Sequence, residues 1–141
     1  MATLREDVIP TLERSSLFRG LSTAELQDVA DRFDDETYLA GHGILTEGLQ
    51  GPEFFIIFDG KASVLIDDQE VAQLGPGDFF GEVAALDGGP RTASVRAITQ
   101  LRCLTLPTGG LRQFLLDYPV IAVNLVPEIV RRFRSVAQPR R

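Results

Sequence analysis

The sequence predicts an α+β fold, with helices segregated at the two ends of the chain around a central block of short antiparallel strands. Three observations point there. Leu17 to Phe33 carries apolar residues at helical spacing, and the stretch from Asp34 to about Pro107 breaks into short β-rich runs punctuated by glycine. After Pro107 the helical period returns.

Each element has a local reason. In LFRGLSTAELQDVADRF, Ser22 followed three residues later by Glu25 is a capping box, and Leu26, Val29, Ala30 and Phe33 form one apolar face, so a helix starts near Thr23. Between 34 and 107, Gly41, Gly43, Gly48, Gly51, Gly60, Gly75, Gly77 and Gly81 separate runs such as Glu53 to Phe58, Ala62 to Ile66 and Thr92 to Leu106. These runs are too short or too alternating for helices, and DDQE between Ile66 and Val71 reads as a hairpin tip. About eight strands in a small sandwich or barrel account for them. The C-terminal part reads as Leu111 to Asp117, ended by Tyr118-Pro119, then Val120 to about Val136. Pro127 inside the last segment predicts a kink or a junction there.

At 141 residues with 44% apolar content the chain fills one core, so residues 1–141 read as a single domain. Residues 1–33 are its N-terminal helical part, 34–107 the strands and 108–141 the C-terminal helices and a basic tail. The longest apolar run, Phe54 to Phe58, is strand-sized, which predicts no membrane span. MATLREDVIP lacks the apolar core of a secretory signal, and the single Cys103 suits a reducing compartment, so a cytoplasmic location is expected. A net charge of −6 opposes general nucleic-acid binding. The C-terminal RRFRSVAQPRR reads either as a solvated helix end or as a contact for a partner or a following domain.

Catalytic constellations are missing. His42 lies in a Gly-His-Gly turn and reads as exposed; Cys103 shares parity with Leu101 and Thr105, which leaves it facing core or surface, with a small buried hydrophobe the expected role. There is no Gly-x-Ser-x-Gly elbow or phosphate loop, and GPGDFFG has one residue too many for GxGxxG. The sequence therefore predicts no enzyme, no catalytic residue and no metal site.

The stretch FFGEVAALDGGPRTASV, residues 79–95, places one acid and one base in apolar, glycine-rich surroundings. In a strand starting at Arg91, Ala93, Val95 and Ala97 alternate with Ser94 and Arg96, which turns Arg91 inward, where a guanidinium needs an anion. Two readings follow. Glu82 is that anion in an internal ion pair of a ligand-free structural or interaction module. Alternatively, Gly81-Glu82-Val83-Ala84-Ala85-Leu86 is a helical turn whose first amides, with Arg91, cradle one compact phosphate while Glu82 accepts from a sugar hydroxyl. The second describes binding of a small nucleotide without turnover.

These residues resemble the phosphate-binding cassette of the cyclic-nucleotide-binding domain family, found in catabolite-activator-type transcription factors, cyclic-nucleotide-dependent kinases and cyclic-nucleotide-gated channels. The family pattern F-G-E-(L/V/I)-A-L, a loop, then P-R-(T/A/S)-A-(S/T)-V stands here as Phe80-Gly81-Glu82-Val83-Ala84-Ala85-Leu86 and Pro90-Arg91-Thr92-Ala93-Ser94-Val95. The likeness runs from LFRGLSTAEL through GHGILTEG, FIIFDGKASV and LGPGDFFGE to the C-terminal helices. It implies a jelly-roll β-sandwich with a short cassette helix and terminal B and C helices. It implies that Gly81, Glu82, Val83, Ala84, Arg91 and Thr92 bind cAMP or cGMP, with Glu82 on the ribose 2′-hydroxyl and Arg91 on the cyclic phosphate. Thr92 leans towards tolerance of cGMP. Arg132 falls at the position where the hyperpolarisation-activated channels cap the base from the C helix, a register that Pro127 disturbs. The implied role is a sensor without a cofactor that relays binding through its C-terminal helix to a protein partner or a fused domain. Homo-oligomers through the C-terminal helices are also open to it.

Overall fold

The computed structural model describes residues 4–107 and 110–137. The last four residues of the basic tail read from the sequence, 138–141, lie outside the described residues. The chain begins with α1 (Leu4–Arg14), a 3₁₀ turn (Ser16–Phe18) and α2 (Thr23–Ala30). Helix α2 starts where the sequence places it: Ser22 accepts from the Glu25 amide, and the Glu25 side chain accepts from the Ser22 amide.

Eight strands follow: β1 (Asp34–Tyr38), β2 (Gly43–Leu45), β3 (Phe54–Asp59), β4 (Ala62–Ile66), β5 (Gln69–Leu74), β6 (Phe79–Phe80), β7 (Ser94–Ala97) and β8 (Leu101–Leu106). They form two antiparallel four-stranded sheets, β1-β8-β3-β6 and β2-β7-β4-β5. The DDQE hairpin closes through Asp67 and Asp68, both at positive φ (53° and 64°), as a two-residue turn with a matching right-handed twist requires. The run read as one strand from Thr92 to Leu106 is in fact β7 and β8 in different sheets, because residues 98–100 turn the chain from one sheet to the other.

The first sheet is covered on both faces. Phe54, Ile56, Phe79, Leu104 and Leu106 pack under the helices with Leu12, Phe18, Val29, Phe114 and Ile121, while Phe55, Ile57, Phe80, Leu101 and Cys103 face the second sheet with Val95 and Ala97. Double coverage explains why FFIIF does not alternate. The edge strands β1 and β5 are polar (DDETY and QEVAQL), which suits strands with an unpaired side.

Between β6 and β7 the chain makes the short helix α3 (Glu82–Asp87), and it ends in α4 (Gly110–Asp117) and α5 (Pro119–Ala137). Helix α5 runs on through Pro127. Its first half is anchored, with Ile121 and Leu125 buried and the Asn124 side chain donating to the Leu17 and Arg19 carbonyls at 2.9 and 2.8 Å. Beyond Leu125 no described side chain of α5 is fully buried.

Candidate functional site

The site is built where β6 ends. Gly81 takes φ 87°, which only glycine adopts without strain, and turns the chain directly into α3. The first bond of that helix runs from the Ala85 amide to the Gly81 carbonyl at 3.2 Å, so the amides of Glu82, Val83 and Ala84 lie outside its ladder. Glu82 and Ala84 are buried, and Val83 is half-buried.

Arg91 is buried, with 4% of its surface exposed, as the sequence predicts, but the reason differs from strand parity. Strand β7 begins only at Ser94. Arg91 sits in the preceding loop, which is locked to residues 47–49: the Arg91 amide donates to Leu49 O and the Gly48 amide to Arg91 O, both at 2.9 Å, and the Glu47 amide to Ser94 Oγ, also at 2.9 Å. Two backbone bonds to a neighbouring loop therefore direct the side chain inward. Thr92, next along, is exposed at the lip.

The two charges do not pair with each other. Arg91 Nη2 contacts Glu53 Oε2 at 3.2 Å and Nη1 donates to the Gly81 carbonyl at 3.2 Å, with the Phe55 ring 6.0 Å from Cζ. Glu82 Oε1 is held at 3.2 Å by Arg132 Nη1 from α5, whose Nη2 donates to Phe79 O at 2.6 Å while the guanidinium lies 4.0 Å over the Phe79 ring. The internal Glu82–Arg91 pair of the first sequence reading is thus replaced by two separate pairs. Glu53 and Phe79 escape a sequence reading; the signal available for Glu53 is an acid placed immediately before an apolar strand.

Burial pulls the Arg91 guanidinium below its usual pKa, against the attraction of Glu53 and then Glu82. Its hydrogen bonds to Gly81 and Glu53 use two of its five N–H groups. Beside it lies a cleft of about 160 Å³, lined by Ile44, Leu45, Leu49 and Gln50 as well as Glu53 and Arg91. An apolar wall, an amide and a buried cation suit a flat ring joined to a compact anion. His42 is exposed and stacks on Tyr38, and Cys103 is buried. Among the described residues no cluster of metal-ligating side chains occurs.

Residues 35–118 match the family model of the cyclic nucleotide-binding domain. The chain belongs to that family. Within it, the CRP-like cAMP-activated global transcriptional regulator of Mycobacterium tuberculosis is 30% identical over 128 residues, covering 87% of this chain and 57% of the relative. The cAMP-dependent protein kinase regulatory subunit of Aspergillus fumigatus is 35% identical over 130 residues, 91% of this chain and 30% of the relative. The chain thus spans little more than half of one relative and under a third of the other. Among solved structures, cAMP-bound PfPKA-R superposes with a TM-score of 0.83 at 26% identity, covering 94% of this chain and 46% of that one. The two-sheet architecture is the jelly roll of the cyclic nucleotide-binding domain. The relatives are named as a regulator and a regulatory subunit, not as enzymes.

Proposed function

We propose that this domain is a cytoplasmic sensor that binds a 3′,5′-cyclic nucleotide, cAMP or cGMP, at Arg91 and relays binding through α5. The observation that carries the reading is the buried Arg91 beside an open cleft, a cation whose ion pair is to a partly exposed carboxylate and which keeps further donors free. The cyclic phosphate takes the remaining donors of Arg91 and the amides of Glu82, Val83, Ala84 and Thr92. Glu82 has one carboxylate oxygen on Arg132 and the other for the ribose 2′-hydroxyl, so sugar recognition and the docking of α5 share one side chain. The relatives that carry cAMP in their names support the ligand class.

In the relay, the anchored half of α5 stays on the core and the half beyond Pro127 moves. Proline offers no N–H to the Val123 carbonyl, so the helix lacks a hydrogen bond where its burial ends. A nucleotide shifts this equilibrium only by binding one arrangement better than the other, and the Glu82–Arg132 contact is where that difference arises. The output passes to a protein partner or a domain of a longer chain.

Calorimetric titration with cAMP, cGMP and cCMP tests the reading. The wild type is expected to bind at least one, and Arg91→Ala to lose about 2–5 kcal/mol of binding while keeping its fold. Glu82→Ala is expected to weaken the ribonucleotide more than its 2′-deoxy analogue. Equal affinity of wild type and Arg91→Ala would remove the phosphate site.

A further inference from the structure

The guanidinium of Arg91 has a glycine on two sides. A Cβ added to Gly81 would stand 2.7 Å from the Glu53 carbonyl oxygen and 3.1 Å from Arg91 Nη1, and its φ of 87° demands glycine in any case. Gly51 is different, because its φ is not positive. A Cβ there would stand 3.0 Å from Arg91 Nε, 3.1 Å from Nη2 and 3.3 Å from Cζ.

Nε and Nη2 form one edge of the guanidinium fork. A methyl group there would press on that edge more tightly than van der Waals contact allows, and the guanidinium would have to move aside. Glu53 takes one hydrogen of Nη2 and the Gly81 carbonyl one of Nη1, which leaves Nε–H and the second Nη2 hydrogen on this edge. Gly51 and Arg91 both line the cleft.

We propose that Gly51 is a positioning residue for the ligand's phosphate: by lacking a side chain it lets the Arg91 guanidinium lie against its backbone, in the orientation that leaves Nε–H and the second Nη2 hydrogen for a phosphate oxygen. This rests on the cyclic-nucleotide reading above and adds to it a residue that touches the phosphate site only through Arg91. It also gives a direction of selectivity, since displacing the guanidinium weakens ligands that carry a phosphate and spares those that do not.

The test compares Gly51→Ala with Gly43→Ala, a control at a glycine that also has no positive φ and no atom within 4 Å of an added Cβ. Calorimetry with cAMP and cGMP is run beside adenosine and guanosine, and the Arg91 Nε–H resonance is followed in ¹⁵N-labelled ligand-free protein. Gly51→Ala is expected to lose roughly tenfold or more in cyclic-nucleotide affinity, the scale of one hydrogen bond to a charged group, with nucleoside affinity unchanged. The Arg91 resonance moves in Gly51→Ala only. An unmoved resonance, an unchanged cyclic-nucleotide affinity, or an equal loss for nucleotide and nucleoside overturns the proposal. If the wild type binds no cyclic nucleotide, the functional reading falls separately. Inorganic phosphate then decides: a shift of the Arg91 resonance in wild type but not in Gly51→Ala supports the role of Gly51, and equal shifts refute it.

Discussion

Single residues in the core show how burial fixes chemistry. Cys103 is fully enclosed between the sheets, and burial, ahead of Glu36 and Asp35, pushes its thiol from 9.0 up to about 12. The folded value lies above the unfolded one, so the folded state holds the proton more tightly. The stability this contributes is complete below about pH 9 and is lost as pH rises from there to about 12. Tyr38 is raised too, by burial first and then by Glu36, and acts in the same direction from pH 10 upward. The difference between wild type and Cys103→Ala isolates the thiol. Thermal midpoints taken from pH 8 to 11 should fall more steeply in the wild type; parallel curves would deny Cys103 this role. An alkylating reagent at pH 8 should label Cys103 at the rate of unfolding, not at that of a free thiol.

At the scale of elements, α5 combines two kinds of helix in one run. Its first half is a core helix tied to the 3₁₀ turn through Asn124; its second touches the rest through Glu128 on Ser16 at 3.0 Å, partly buried Ile129 and the Arg132 contacts. Pro127→Ala restores a helical donor at the boundary and should raise unfolding stability by about 1–3 kcal/mol. It should also reduce the nucleotide-induced distance change between spin labels at Ser135 and Asp67. A distance change equal to that of the wild type would move the hinge elsewhere, most simply to the α4–α5 corner at Tyr118. Helix α3, only six residues long, depends on what surrounds it: Gly81 enters it at φ 87° and Gly88 leaves it at φ 74°.

Over the whole molecule, ligand binding and assembly are the properties that remain open to measurement. A ligand that binds only the folded state stabilises it by about 2.7 kcal/mol at a hundred times its Kd, so the midpoint should climb with cyclic-nucleotide concentration. Val123, Val126, Val130 and Phe133 expose an apolar face on α5, with Val123 at 69% and Phe133 at 71%, the observation that keeps a homo-oligomer through the C-terminal helices open. Light scattering of wild type and Phe133→Glu settles it: a dimer that the substitution dissociates supports this face, and a monomeric wild type at high concentration removes it. No single described helix is long and apolar enough to cross a membrane.

What the sequence determined by itself is local. The α2 cap, the β4–β5 hairpin and the glycine-led turn into α3 all follow from neighbours a few residues apart, because capping, turn and glycine preferences act over that range; the inward turn of Arg91 does not, since its backbone bonds to Gly48 and Leu49 set it. Even so, strand parity found Arg91 through a strand that starts three residues later. Tertiary structure alone decided the ionic partners. Glu53 lies 38 residues before Arg91, and Arg132 lies 50 residues after Glu82. A buried charge is compensated by whatever the packed sheets and helices bring to it, and nothing in the spacing of FFGEVAALDGGPRTASV announces which side chains those are.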